Sequence, residues 1–135
     1  MSGGDTWLGL MRATEFAHEQ ALREQAHLDE LSALLRSLFE VLDSLDRLVG
    51  ASEPSTGLDA VRRQLVRALT EAGVALIDPA GEAFDPQQAE AVEQRPSAGV
   101  EPGTVVDVIR RGGVWRGRLL RTAHVAIAAN SNQGR

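Results

Sequence analysis

From Leu28 onward the apolar positions run Leu28, Leu31, Leu35, Leu38, Leu42, Leu45 and Val49, with spacings that alternate between three and four. That alternation is a heptad seam, the pattern of a helix packed lengthwise on another helix. Residues 7 to 49 contain no Pro, and Gly9 is their only glycine, so one long helix is expected over the whole stretch. Upstream of Leu28 the same frame passes through Glu24, Ala21, Ala17, Thr14 and Leu10, which is a weak seam and predicts a thin helical stalk. Leu34, Phe39, Val41 and Leu48 widen the stripe beyond a two-stranded seam and point to a bundle with more than one partner helix.

Residues 50 to 57 (Gly-Ala-Ser-Glu-Pro-Ser-Thr-Gly) have the composition of a loop. A second helix is expected over residues 58 to 72, with Leu58, Val61, Leu65, Leu69 and Ala72 on one face and Gly73 as its left-handed stop. Two helices joined by a short loop form an antiparallel hairpin. One hairpin cannot cover so wide an apolar stripe, whereas two hairpins can, as a four-helix bundle. A homodimer is therefore expected, with Leu31, Leu35, Leu38, Leu42, Leu45, Val61, Leu65 and Leu69 as its seam.

After Gly73 the period changes. Residues 74 to 77 read as a short strand closed by Asp78-Pro79, and residues 89 to 95 as a strand of poor propensity. Pro102-Gly103 is a turn pair, and the β-branched residues 104 to 109 form the clearest strand. Arg111-Gly112-Gly113 reads as a hairpin turn, residues 119 to 128 as one or two further strands, and residues 130 to 135 as a flexible tail. The fold class that follows is α+β. A helical stalk and dimerisation bundle over residues 1 to 73, forming a coiled coil and four-helix bundle, precedes a small all-β domain over residues 74 to 129.

Composition narrows the chemistry. The 135 residues include no Cys, which excludes a disulfide framework, a thiolate metal site and a Cys nucleophile. His18, His27 and His124 lie far apart, so no metal site, no catalytic cluster and no cofactor loop is expected. No apolar run is long enough to span a bilayer, and the start of the chain lacks the basic residues of a secretion signal. A cytoplasmic protein without membrane partners is expected. The net charge is -5, unevenly spread: residues 78 to 107 hold all seven acids of the C-terminal half, and residues 110 to 121 hold five Arg and no acid. The Arg cluster lacks interleaved aromatics and sits in an acidic protein, so no nucleic-acid partner is expected.

Several segments carry a resemblance. Phe84-Asp85-Pro86 precedes Ala91-Val92, and residues 100 to 106 (Val-Glu-Pro-Gly-Thr-Val-Val) follow. Gly112-Gly113 then leads into Gly117-Arg118, Leu120-Arg121, Ala123, Val125 and Ile127. Earlier, residues 38 to 47 (Leu-Phe-Glu-Val-Leu-Asp-Ser-Leu-Asp-Arg) precede Gly57-Leu58. Together these resemble the GrpE family, the nucleotide exchange factors of DnaK-type heat-shock chaperones, over residues 38 to 128. Two positions depart from the family pattern. Ala89 stands where a His is usual, and Gly113 where an aromatic is usual, with Trp115 two residues on as a possible substitute ring.

The resemblance implies a homodimeric co-chaperone, not an enzyme, that binds the ATPase domain of a DnaK-type chaperone and promotes ADP release in protein folding and the stress response. It implies Arg118 as the principal chaperone contact, an arginine being suited to forked contact with carboxylates. Gly57, Pro86, Arg116, Arg121 and Trp115 are the further contact candidates, Trp115 being equally readable as a packing residue. The Asp85-Pro86 pair is read as a turn with Phe84 as its core anchor. A dimeric scaffold without exchange activity is the alternative, and a small module using the Arg cluster to bind nucleic acid or a regulator is a third.

Overall fold

The computed structural model describes residues 3 to 51 and 56 to 130. Its elements are helices α1 (Gly3–Ala51) and α2 (Thr56–Glu71), then strands β1 (Val74–Ile77), β2 (Ala89–Arg95), β3 (Val105–Arg110), β4 (Gly112–Trp115), β5 (Arg118–Arg121) and β6 (Ala123–Ala128). The α+β class expected from the change of period is the class observed. Most of the segment expected as a flexible tail, residues 131 to 135, and the loop residues 52 to 55 lie outside the described residues. Two compact units divide the chain, one ending at Leu34 and the other beginning at Leu35.

In the first unit α1 carries exposed Trp7, Leu8, Leu10, Met11, Phe16 and Leu22, and among the described residues it buries no large apolar side chain. In the second unit the leucine seam is split. Leu35, Leu42 and Leu69 are already buried inside one chain, whereas Val61 of the seam, and Val41 and Leu48 that widen the stripe, are about half exposed. Phe39, expected to widen the bundle stripe, is instead fully buried against the sheet.

α2 stops where the sequence places its stop. Gly73 takes φ 96°, a conformation open to glycine without cost, and its N–H donates to the Thr70 carbonyl at 3.0 Å. The strands form two sheets, β1-β4-β5 and β2-β6-β3. The first is antiparallel throughout, and in the second β2 runs parallel to β6. Between the sheets lies a core of Ile77, Ala89, Val105, Ala123 and Val125, with Phe84, Val108, Val114 and Ile127 packed against it. Aliphatic residues from all strands but β5 thus meet in one cluster, which is how a β-domain so poor in aromatics closes its interior. Phe84 is its anchor, and the following turn is closed by Asp85. The Asp85 carboxylate accepts the Gln87 N–H at 2.9 Å, and its carbonyl accepts those of Gln88 and Ala89 at 3.1 and 3.0 Å.

One turn is corrected. Arg111-Gly112-Gly113 is not a hairpin turn: Gly112 and Gly113 are buried strand residues, paired with Ile77 and Leu76 of β1. β3 pairs with β6, so the chain crosses from one sheet to the other at Arg111. The glycines are there for room. A Cβ on Gly112 would lie 2.5 Å from the Ala123 nitrogen, and one on Gly113 would lie 2.3 Å from Phe39 Cζ. The tight turn falls at Arg116-Gly117, with φ 50° and 74°, the two positive values of a type I′ hairpin turn.

Candidate interaction surface on the β4–β5 hairpin

The hairpin is built on both helices. Trp115 closes β4 with 4% of its surface exposed, and its indole N–H donates to the Ala72 carbonyl at the end of α2, at 3.1 Å. Trp115 is therefore a packing residue, and the expectation of a contact aromatic is corrected on that ground. Its ring also does not replace the aromatic missing at Gly113, because Phe39 of α1 already occupies that space.

Arg121 is likewise committed inside the chain. Two of its nitrogens bind the Asp43 carboxylate, Nη1 to Oδ2 at 2.7 Å and Nη2 to Oδ1. Its Nε donates to the Arg111 carbonyl at 2.8 Å, and its guanidinium lies 4.7 Å from the centre of the Phe39 ring. A fork with both prongs and its stem bonded has little left to offer a partner. Arg111 pairs with Asp46 at 3.0 Å, and Arg62 of α2 reaches the same carboxylate at 3.5 Å. Arg36 Nε donates to the Leu120 carbonyl at 3.0 Å. Burial pushes the Arg110 guanidinium below its ordinary value, and the positive charge of Arg121 adds to this. Arg110 Nε is buried with no hydrogen bond, while its Nη2 donates to the Thr122 carbonyl at 3.2 Å.

Carboxylates of α1 thus answer two of the five arginines in residues 110 to 121, Arg111 and Arg121. A groove of about 640 Å³ beside this network is lined by Asp46, Arg47, Arg62, Arg95, Asp107 and Arg111. Three of its cations are held in ion pairs with acids of the same neighbourhood, so the groove selects neither anion nor cation.

Arg116 and Arg118 flank the hairpin turn. Arg116 is exposed at the turn, its guanidinium 5.0 Å from the centre of the Trp115 ring. Arg118 is half-buried directly opposite Trp115 in the β4–β5 register. Gly57 is exposed at the start of α2 and Pro86 is exposed in the turn ahead of β2, each on an element other than the hairpin. Sequence reasoning missed Phe39, Asp43, Asp46 and Arg36 as the hairpin's support. Asp43 and Arg121 stand 78 positions apart, and nothing local to either announces the other. Among the described residues, no group of three or more His, Cys, Asp or Glu could hold a metal ion, and no helix is long and apolar enough to cross a membrane.

The sequence pattern of the GrpE family matches residues 14–129. The chain belongs to the GrpE family. Relatives named Protein GrpE include that of Xanthomonas euvesicatoria pv. vesicatoria (strain 85-10), 42% identical over 100 residues covering 70% of this chain and 58% of the relative. That of Stenotrophomonas maltophilia (strain R551-3) is 38% identical over 112 residues, 79% of this chain and 66% of the relative. That of Xylella fastidiosa (strain 9a5c) is 40% identical over 110 residues, 78% of this chain and 64% of the relative. This GrpE-family chain therefore spans 58 to 66% of the length of these relatives. The match takes in α1 from Thr14 onward, the whole of α2 and all six strands, including the β4–β5 hairpin.

Proposed function

We propose that this protein is a homodimeric adenyl-nucleotide exchange factor that binds the ATPase domain of a DnaK-type chaperone and promotes ADP release. The observation that carries the reading is the family match over residues 14–129, which includes Arg118 on a hairpin anchored to both helices. Such a factor needs no covalent chemistry. It needs a rigid surface that fits the open state of its partner's nucleotide cleft better than the closed state. Linkage then requires that nucleotide and exchange factor weaken each other's binding by the same factor, so ATP rebinding expels the factor.

Arg118 is the leading contact, with Arg116 beside it and Gly57 and Pro86 as contacts from other elements. Homodimerisation would cover the exposed apolar residues Val41, Leu48 and Val61, together with the half-buried Leu38, Leu45 and Leu65. The cytoplasm, where such chaperones work, is the proposed location. The test is release of a fluorescent ADP from a DnaK-type ATPase domain. Acceleration by saturating protein is expected. An unchanged release rate, with a dimeric mass by light scattering, would overturn exchange and leave the dimeric scaffold.

A further inference from the structure

Arg36, Phe39, Asp43 and Asp46 recur along α1 at spacings of three, four and three. They run one residue behind the leucine seam Leu35, Leu38, Leu42 and Leu45, and so form a second stripe along the same helix. Every member of this stripe meets the end of the β-domain that bears the hairpin. Arg36 holds the Leu120 carbonyl of β5, and Phe39 fills the space above Gly113 of β4. Asp43 holds Arg121 of β5, and Asp46 holds Arg111 ahead of β4. Phe39 and Asp43 also act on one group, because the Arg121 guanidinium is bonded to the carboxylate while it lies over the ring. The stripe therefore grips both strands of the hairpin that presents Arg118.

We infer that Phe39 is a positioning residue that supplies from α1 the ring absent at Gly113, and that Phe39, Asp43 and Arg121 together set the angle at which Arg118 is presented. This rests on the exchange reading above. The physical reason is differential affinity. A contact made equally well with the closed and open clefts shifts nothing, however tight it is. A hairpin free to rock on α1 would follow the partner surface in either state. It would keep most of its binding and lose its preference for the open cleft.

The test measures the fluorescent-ADP release rate against exchange-factor concentration for the full chain and for Phe39→Ala, Asp43→Asn, Arg118→Ala and the double variant Phe39→Ala/Gly113→Tyr. For Phe39→Ala and Asp43→Asn the maximal acceleration is expected to fall about tenfold, which is most of a typical coupling factor. Their half-saturating concentration should move by less than about threefold, because binding itself is retained. For Arg118→Ala the half-saturating concentration should rise instead. The double variant returns a ring to the same space from the strand side and should recover acceleration to within about threefold of the parent.

If the parent chain itself gives no acceleration, the exchange reading fails and the inference falls with it. If the parent accelerates release and the folded clamp variants match its maximal rate, or change only the half-saturating concentration, the clamp inference is wrong and the exchange reading stands. A double variant no better than Phe39→Ala overturns the assignment of Phe39 to the missing ring. Should Phe39→Ala lose its fold by circular dichroism, the near-isosteric Asp43→Asn decides by the same two quantities.

Discussion

Adding one methyl group at Gly112 separates a glycine required for space from a glycine that ends a loop. In Gly112→Ala the new Cβ would sit 2.5 Å from the Ala123 nitrogen, 2.7 Å from the Arg121 oxygen and 2.7 Å from the Thr122 carbonyl carbon. Comfortable contact for carbon is about 3.5–4.0 Å, so β4 must retreat by roughly 1 Å from the link between β5 and β6. All three obstructing atoms are backbone, and no rotamer can move them aside. Retreat of β4 would also loosen its pairing with β1 and the seat of Phe39 on Gly113. Overpacking a tight interior costs about 1–3 kcal/mol, and an unyielding backbone places this case near about 3 kcal/mol. At about 4 °C per kcal/mol for a chain of this size, the melting temperature should fall by about 12 °C. Gly50→Ala is the control. It adds the same methyl to a helical position with nothing within 4 Å, and it should be neutral or stabilise by up to about 1 kcal/mol. Both are read by circular dichroism melts at one fixed protein concentration, because dimerisation would make the midpoint concentration-dependent. A Gly112→Ala protein melting within about 2 °C of the parent would refute the close approach of β4 to the β5–β6 link.

Arg121→Lys keeps the charge but loses the fork on Asp43 and the bond to the Arg111 carbonyl. With both side chains mostly buried, it should cost about 1–3 kcal/mol in denaturant unfolding, and a cost below about 0.5 kcal/mol would show that one ammonium serves as well. Trp115→Phe preserves an aromatic ring and deletes the donor to the Ala72 carbonyl; a loss of about 0.5–1.5 kcal/mol is expected by the same melts. Val41→Asp places a charge on a residue that one chain leaves half exposed. In the proposed dimer that charge would be buried, so the variant should stay folded with the light-scattering mass of one chain, whereas a dimeric mass would remove Val41 from the proposed interface.

Helix existence, the class of the fold and most strand positions were legible in the residues because each depends on local periodicity. The alternation of three and four in α1, the glycine stop at Gly73 and the turn at Asp85-Pro86 all act through neighbours a few positions away. Gly112-Gly113 was misread because two glycines in sequence have two physical uses, a turn conformation or the absence of a side chain. Only the arrival of Phe39, 74 positions earlier in the chain, decides between them. The arginine run has the same dependence on distant segments. Residues 110 to 121 contain no acid of their own, and Asp43 and Asp46 reach Arg121 and Arg111 only once α1 lies against the sheet.

By itself, then, the sequence determined the α+β class, the heptad helix, the strand-rich C-terminal half and, through spaced residues from 38 to 128, the GrpE family. Tertiary structure decided which face of α1 meets the sheet, that Trp115 and Arg121 are spent inside the chain, and that Arg116 is exposed at the hairpin turn while Arg118 is half-buried opposite Trp115. The division has one physical cause. Hydrophobic period and turn chemistry are written within a few residues of where they act, whereas packing a ring onto a glycine or a carboxylate onto a guanidinium requires two distant segments to meet.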